Sequence, residues 1–375
     1  NRTFFQGPDS TSRSPSPHLM KQNPLFSTLY IVGTGISIVM TMVIAIVYYV
    51  RLAPVYPETN RMRTLVVKSA KMTNDESTHS SNISYAMLKD WFYSLESAEV
   101  STGVSGTSYA RVTNDKEEIP TYARYTDENF FRVFPLVFLE GKPFTEADRR
   151  SGIHNVVLTD SYAQQLFGTT KGVVGKNFLM DYTNVKVVGV VKSGSFLTPD
   201  SYAQVYLPYS CRDGYDDEGS HWALGGYRVY ILMKESKSVT DVQDEVLELV
   251  RKFNVSDMGD GWKLDLVGQP ELYWHSTFRL WSNVAVDWGR VIWMFVGIFM
   301  VLLFVPAFNL SGMISARMER QLPDLGIRKA FGASRRRLLV QIIWENLLLT
   351  GLGTLLGLVI AWIVLALSGY EIFSL

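Results

Sequence analysis

The chain has 375 residues, of which 47% are hydrophobic, 13% aromatic and only 19% charged, with no net charge and a mean hydropathy of +0.06. That balance excludes an intrinsically disordered chain, and it argues against nucleic acid as a partner, since phosphate binding needs clustered excess Lys and Arg. The apolar excess lies in three charge-free windows, residues 22–50, 291–316 and 346–370. Each is longer than the roughly 20 residues that span a bilayer. A membrane protein follows, and a soluble enzyme or a coiled coil is disfavoured.

Residues 1–24, with Arg2, Arg13, Lys21 and a Ser/Pro-rich stretch at 10–18, read as a cytoplasmic N-terminal segment. Residues 25–50 form the first predicted transmembrane helix, because the uncharged run far exceeds a signal-peptide core of roughly 7 to 15 residues. Tyr48, Tyr49 and Arg51 at its end, with Trp288 and Trp293 near the next span, suit an interfacial belt.

Residues 52–288 hold 31 acidic and 24 basic side chains, a net of −7, the charge of an ordinary folded domain. Periodicity predicts β-α-β twice: strand 63–70, helix 84–95 and strands 100–112 and 119–125, then strand 227–233, helix 239–253 and strand 262–267. Between them, a short helix at 128–134, a strand at 155–158, a helix at 161–167 and strands at 185–192 and 204–207 form an inserted subdomain. The expected fold class is an α/β membrane protein, transmembrane α-helices with a large extracytoplasmic α+β domain. The stretch 213–226 reads as a connecting loop.

Residues 291–316 form the second transmembrane helix, 317–345 a loop and 346–370 the third. The loop carries Arg317, Arg320, Arg328, Lys329, Arg335, Arg336 and Arg337 against Glu319, Asp324 and Glu345. Positive charge is retained inside, so this loop is cytoplasmic and residues 52–288 are external. Pro306 removes an intrahelical hydrogen bond and, with Asn309 nearby, marks a hinge or a packing site. Gly353 and Gly357, four apart, allow another helix to approach closely.

Catalytic signatures fail one by one. Gly175-Lys176 lacks the Gly and the Ser or Thr of a P-loop, since Thr170 and Asn177 stand there. Neither a Gly-x-Ser-x-Gly elbow nor a His-Glu-x-x-His motif occurs. Asp213, Asp216, Asp217, Glu218 and His221 do not keep EF-hand spacing and read as a solvated loop, with weak divalent binding left open. His79, His154 and His275 are scattered, and the single Cys211 forms no intrachain disulfide. By contrast, residues 324–332 combine a preceding Pro323, apolar Leu325, Ile327, Ala330 and Phe331, and a Gly332 stop, with Ser334 as N-cap of the third span. An anchor accounts for Arg335, Arg336 and Arg337, but a Pro-bounded amphipathic turn suits a docking helix for a cytoplasmic partner.

That segment, Asp-Leu-Gly-Ile-Arg-Lys-Ala-Phe-Gly-Ala-Ser at 324–334, resembles the coupling segment of the MacB/FtsX-like permeases of ABC transporters, usually Glu-Ile-Gly-Ile-Arg-Lys-Ala-Leu-Gly-Ala. Asn-Phe-Phe-Arg-Val-Phe at 129–134, Glu-Gly-Lys-Pro-Phe-Thr-Glu-Ala-Asp at 140–148, Asn-Val-Val-Leu-Thr-Asp at 155–160 and Lys-Val-Val-Gly-Val-Val-Lys at 186–192 resemble the MacB-type periplasmic core domain. The resemblance implies a non-catalytic permease subunit in the bacterial inner membrane, multi-pass, with its large domain in the periplasm or outside. It implies porter-like halves at about 60–126 and 226–275 and a sabre-like insertion at about 127–209.

ABC ATPase subunits would dock on Asp324, Leu325, Gly326, Ile327, Arg328, Lys329, Ala330, Phe331 and Gly332. ATP and Mg would be bound by the ATPase, and no cofactor by this chain. Further partners implied are a second or related permease forming a dimer, membrane lipids, and a periplasmic adaptor or outer-membrane component. ATP-driven closure would reshape the external domain by mechanotransmission, driving export or extraction of a peptide, lipid, lipoprotein or drug. The alternative is an FtsX-like signalling subunit that activates a cell-wall hydrolase. The family's fourth helix is expected to be absent from this chain.

The topology predicts that an impermeant thiol reagent labels Cys211 in cells with a permeabilised outer membrane, and not a cysteine placed at Arg336. Labelling in the opposite order would reverse the orientation.

Overall fold

The computed structural model describes residues 24–106, 108–114, 117–216, 222–256, 261–331 and 334–372. These divide into two compact units, residues 24–46 with Ile292–Leu367, and Val47–Val291 with residues 368–372. Helix α1 (Pro24–Leu52) begins on a proline, whose missing N–H costs nothing in a first turn. It continues from the first unit into the second.

The unit Val47–Val291 is built on two sheets. The first contains β1 (Thr64–Val67), β2 (Ala70–Thr73) and β3 (Thr78–Ile83), then, after helix α2 (Tyr85–Asp90), β4 (Ala98–Ser105). The second takes β5 (Ser108–Asn114) and β6 (Glu117–Thr126), and, after helix α3 (Phe130–Val133), β7 (Phe138–Gly141). Helix α4 (Glu146–Arg150) leads to β8 (Asn155–Thr159), helix α5 (Asp160–Phe167), β9 (Asn177–Met180), β10 (Thr183–Val191) and β11 (Val205–Pro208). The chain then returns to the first sheet with β12 (Leu224–Gly225), β13 (Tyr227–Met233), helix α6 (Val239–Val255), β14 (Lys263–Asp265) and β15 (Glu271–Leu272).

In the first sheet β13 is central, antiparallel to β1 on one side and to β4 on the other. Alternation sends Leu65, Val67, Val229 and Ile231 into a core beneath α2 and α6, with Met87, Leu88, Val242 and Val246. Their neighbours Val66, Tyr230 and Leu232 enter a second core with Phe130, Phe131 and Phe134. Period-2 side chains thus bury both faces of one sheet. Gly103 gives Leu88 its place here, because a Cβ would lie 2.2 Å from Leu88 Cδ2 and force that side chain to shift.

The second sheet runs β7-β10-β8-β11-β6-β5-β9, and β9 also pairs with β10. Six strands therefore close into a ring, and β7 branches from it. Closure removes the free edges that would otherwise template aggregation. The expected strand 100–112 is broken at Gly106, and β5 and β6 form a hairpin paired to β9 and β11 rather than to the first sheet. The division expected at residues 126 and 127 therefore lies near residue 106. The reason is register: Val112 opposite Met180 and Ala123 opposite Val205 bring their side chains into the ring's own core.

Cys211 is partly buried, and burial pushes its thiol up to about 11. It is a slow reporter of topology. Tyr182, 88% exposed, is the better position for an introduced cysteine.

Helix α7 (Trp288–Ala330) is continuous, and helix α8 (Arg335–Ile372) follows after four residues. This corrects the expected loop at 317–345 with its separate short helix. Pro323 lies inside α7, because helix-favouring Ala316, Arg317, Met318, Glu319, Arg320 and Gln321 before it, and Arg328, Lys329 and Ala330 after it, outweigh one lost hydrogen bond. Among the described residues, Ile31–Leu52 is the one helical stretch long and apolar enough to cross a membrane, while Trp288–Leu302 and Leu347–Ile363 are shorter apolar helical stretches.

The glycine pair does permit close helix approach. A Cβ on Gly357 would lie 2.8 Å from Gly35 O, and one on Gly353 would lie 2.8 Å from Thr34 Cβ. Gly351 faces nothing within 4 Å. Gly357→Ala is therefore expected to destabilise the chain by about 1–3 kcal/mol through overpacking. Gly351→Ala should be neutral or slightly stabilising, because alanine is the better helix former. Thermal unfolding in nanodiscs checks this, and equal effects at both positions would refute the crossing.

Candidate functional site

The last carbonyls of a helix have no intrahelical donors. At the end of α1 the chain turns twice, with Arg61 N donating to Glu58 O at 3.2 Å and Arg63 N to Asn60 O at 2.8 Å. These turns bring Glu58 and Arg61 together. Arg61 Nη1 donates to Val50 O at 2.8 Å and to Ala53 O at 2.9 Å, placing a cation at the negative end of the helix. Its Nη2 pairs with Glu58 Oε2. Both side chains are buried.

A buried ion pair costs less when its remaining polar atoms are satisfied; here Arg61 Nε is left without a hydrogen-bond partner. The other carboxylate oxygen, Glu58 Oε1, accepts from Ser201 Oγ at 2.7 Å and from Tyr273 Oη at 2.8 Å. The Arg61 guanidinium lies 5.3 Å from the Tyr273 ring centroid, within cation–π range.

Ser201 belongs to the loop between β10 and β11, and its neighbour Asp200 makes a second ionic contact. Asp200 pairs with Lys68 Nζ at 2.8 Å and with Arg228 Nη1 at 3.2 Å. Burial alone would raise its carboxyl, but the Lys68 and Arg228 charges outweigh that and hold it well below the usual carboxylate range. Arg124 of β6 holds the same loop through Nη2 to Pro199 O at 2.7 Å and to Tyr202 O at 2.9 Å. One loop is thus tied to both sheets and to the α1 cap.

Tyr273 is anchored by its N–H to Thr64 O at 2.8 Å. The residues after it meet the start of α7, where Trp288 lies 5.1 Å from the His275 ring, 6.0 Å from Phe278 and 6.3 Å from Trp274. Burial lowers the His275 imidazole below its ordinary value, which favours the neutral ring in this aromatic group. Asp287 Oδ1 accepts from Arg290 N at 3.1 Å and caps α7. The segment from Glu271 to Phe278 therefore contacts the Glu58/Arg61 pair that caps α1 and the beginning of α7. Among the described residues, no group of three His, Cys, Asp or Glu side chains could hold a metal ion.

The sequence-predicted coupling residues lie elsewhere. Residues 324–330 form the last turns of α7, where Gly326, Ile327 and Ala330 are exposed, and Phe331 N donates to Ile327 O at 3.0 Å. Ile327 is 56% and Phe331 87% exposed, four residues apart on one side of the helix end. Asp324, Leu325, Arg328 and Lys329 are placed by backbone only, and Gly332 lies outside the described residues. Pro306 and Asn309 are within α7. Asp217, Glu218 and His221 also lie outside the described residues.

Sequence reasoning missed Glu58, Arg61, Asp200 and Tyr273. The available signal was the Glu58/Arg61 pair three apart, directly after an apolar span and fenced by Pro54 and Pro57.

A family model described as the MacB-like periplasmic core domain matches residues 26–249, and one described as the FtsX-like permease C-terminal region matches residues 283–374. The chain is 22% identical over 268 residues to the macrolide export ATP-binding/permease protein MacB of Escherichia coli O157:H7, covering 70% of this chain and 39% of that one. It is 25% identical over 237 residues to the pyoverdine export ATP-binding/permease protein PvdT of Pseudomonas entomophila, covering 62% and 34%. The chain thus spans about two fifths or less of the length of these relatives. Among solved structures, the periplasmic region of MacB from Actinobacillus actinomycetemcomitans is similar at 16% identity and a TM-score of 0.38, covering 53% of this chain and 88% of that one. With the core-domain match extending over more than half its length, the chain belongs to the MacB-like periplasmic core domain family and is an ABC-transporter permease of the MacB/FtsX-like type.

Proposed function

We propose that the chain is the mechanical element of an ABC transporter, moving its α+β domain in response to ATP hydrolysis by an ATP-binding component separate from residues 1–375. The observation that carries this reading is the Arg61 cap. A side chain that bonds the end of α1 and, through Glu58, the domain's loop and last strand passes displacement of the helix to both sheets.

The proposed assembly is multi-pass in a bacterial inner membrane, with Val47–Val291 on the periplasmic side and a second or related permease beside it. Outward-facing Leu29, Ile36 and Met40 on α1 suit contact with lipid tails or a neighbouring helix. The ATP-binding component docks on the end of α7, where exposed Ile327 and Phe331 supply apolar contact on either side of Arg328 and Lys329 in sequence. Substrates of the class that the named relatives export are carried across the periplasmic face. ATP and Mg bind to the ATP-binding component and not to this chain.

Two variants separate docking from transmission. Ile327→Ala with Phe331→Ala removes apolar contact worth roughly 1.5–3 kcal/mol per large side chain if fully buried. It should lose the ATP-binding component in pull-downs while α1 and the domain stay folded. Arg61→Lys cannot span Val50 O, Ala53 O and Glu58 together. It should keep the ATP-binding component and its turnover but abolish the ATP-dependent distance change between spin labels at position 182 of two copies. Wild-type docking in the first variant, or a wild-type distance change in the second, would refute the corresponding half of the reading.

A further inference from the structure

Beside the loop that carries Asp200 and Ser201 lies a cleft of about 680 Å³ with no role in the coupling scheme. Its aromatic faces come from Tyr122, Phe196 and Tyr202, and its polar groups include Ser161, Gln165 and Ser193. The Tyr122 ring packs 4.5 Å from Tyr109 and 6.2 Å from Tyr202. Phe196 is 45% exposed. The Gln165 side chain is exposed and makes no hydrogen bond among the described residues, so its amide offers both a donor and an acceptor.

The cleft is held open by its own chain. Leu197 N donates to Ser195 Oγ at 3.1 Å, Thr198 N to Ser195 O at 3.0 Å, and Arg124 grips the loop from beneath. Ligand sites are commonly preformed in this way.

Chemistry narrows the occupant. No charged side chain lines the cleft, so an anion or a cation would be desolvated without a counter-charge. The adjacent carboxylate is engaged, because Asp160 Oδ1 accepts from Ser161 N at 2.8 Å, Ser193 N at 2.9 Å and Ser193 Oγ at 2.5 Å. Ser161 Oγ and Ser193 Oγ are bonded to each other at 2.6 Å and keep lone pairs that can still accept, and a wholly apolar ligand would cover the Gln165 amide without pairing it. An extended peptide has no edge to join, since β6 lies between β5 and β11, and β11 between β6 and β8. What remains is a neutral molecule with hydroxyl groups around its rim and an apolar face for stacking.

We propose that this cleft is a binding site for a neutral saccharide. Its aromatic rings take the sugar's apolar face, and Gln165, Ser161 and Ser193 take its hydroxyls. The site is lined by the same loop whose Asp200 and Ser201 bond Lys68, Arg228 and Glu58. Binding there stands apart from the coupling reading and needs no ATP-binding component.

The test uses the full chain in nanodiscs, free of sugar detergents, with chitotetraose and maltotetraose as neutral probes. A sulfated tetrasaccharide and a neutral Ser/Gly/Gln peptide serve as comparisons. Calorimetry and saturation-transfer NMR should show at least one neutral probe bound, with affinity reduced about tenfold or more in Phe196→Ala and in Gln165→Leu. Both side chains are exposed, and unchanged thermal unfolding would establish that the variants fold. The proposal is overturned if neither neutral probe binds, if both variants bind as the wild type does, or if the sulfated sugar or the peptide binds more tightly.

Discussion

The carbonyls at the end of α1 need donors, and the residue that supplies them, Arg61, is buried. Nearly every contact around the helix end follows from that constraint. A buried guanidinium requires a counter-charge, which Glu58 provides. The Glu58 carboxylate then requires donors of its own, and these come from two distant places in the chain, Ser201 and Tyr273. Each group is tolerated in the interior only while the next is in position. A cluster of this kind is more rigid than apolar packing, because geometry as well as area must be kept.

A second buried carboxylate plays the matching part where the two sheets meet. Asp127 follows β6 and accepts from Tyr93 Oη at 2.6 Å, Thr102 Oγ1 at 2.7 Å, Gly103 N at 2.8 Å and Asn129 N at 3.0 Å. Burial raises its carboxyl to about 6 even with those donors. Phe130, Phe131 and Phe134 then fill the space against Tyr206 and Tyr230. The ring of strands and the open sheet are therefore joined by polar bonds at Asp127 and at the Asp200 loop, with an aromatic core adding apolar contact between them.

The helical unit follows a different rule. Between α1 and α8, close approach depends on shape. Gly35, Gly353 and Gly357 provide it by removing the side chains that would separate the backbones. At the far end of α7, Ile327 and Phe331 are exposed apolar side chains that flank Arg328 and Lys329 in sequence.

Much of this was legible in the amino-acid sequence, because it depends on local periodicity. The β-branched strand 227–233, the amphipathic helix 239–253 and the Gly353/Gly357 pair each carry their signal within a few turns of chain, and the strand and helix formed close to those limits, whereas the second and third apolar windows lie inside longer helices. Motif runs at 129–134, 140–148 and 324–334 were sufficient to indicate the family. Periodicity could not decide which sheet β5 and β6 join, since a strand that alternates apolar and polar residues fits either until its partners are known. It also could not show that α7 runs through Pro323, where a proline marks a break or an interior position with equal local chemistry. The Arg61 network was invisible for a deeper reason. Glu58, Ser201 and Tyr273 are separated by 143 and 215 positions from the first to each of the others, and only the folded chain brings them within hydrogen-bond distance.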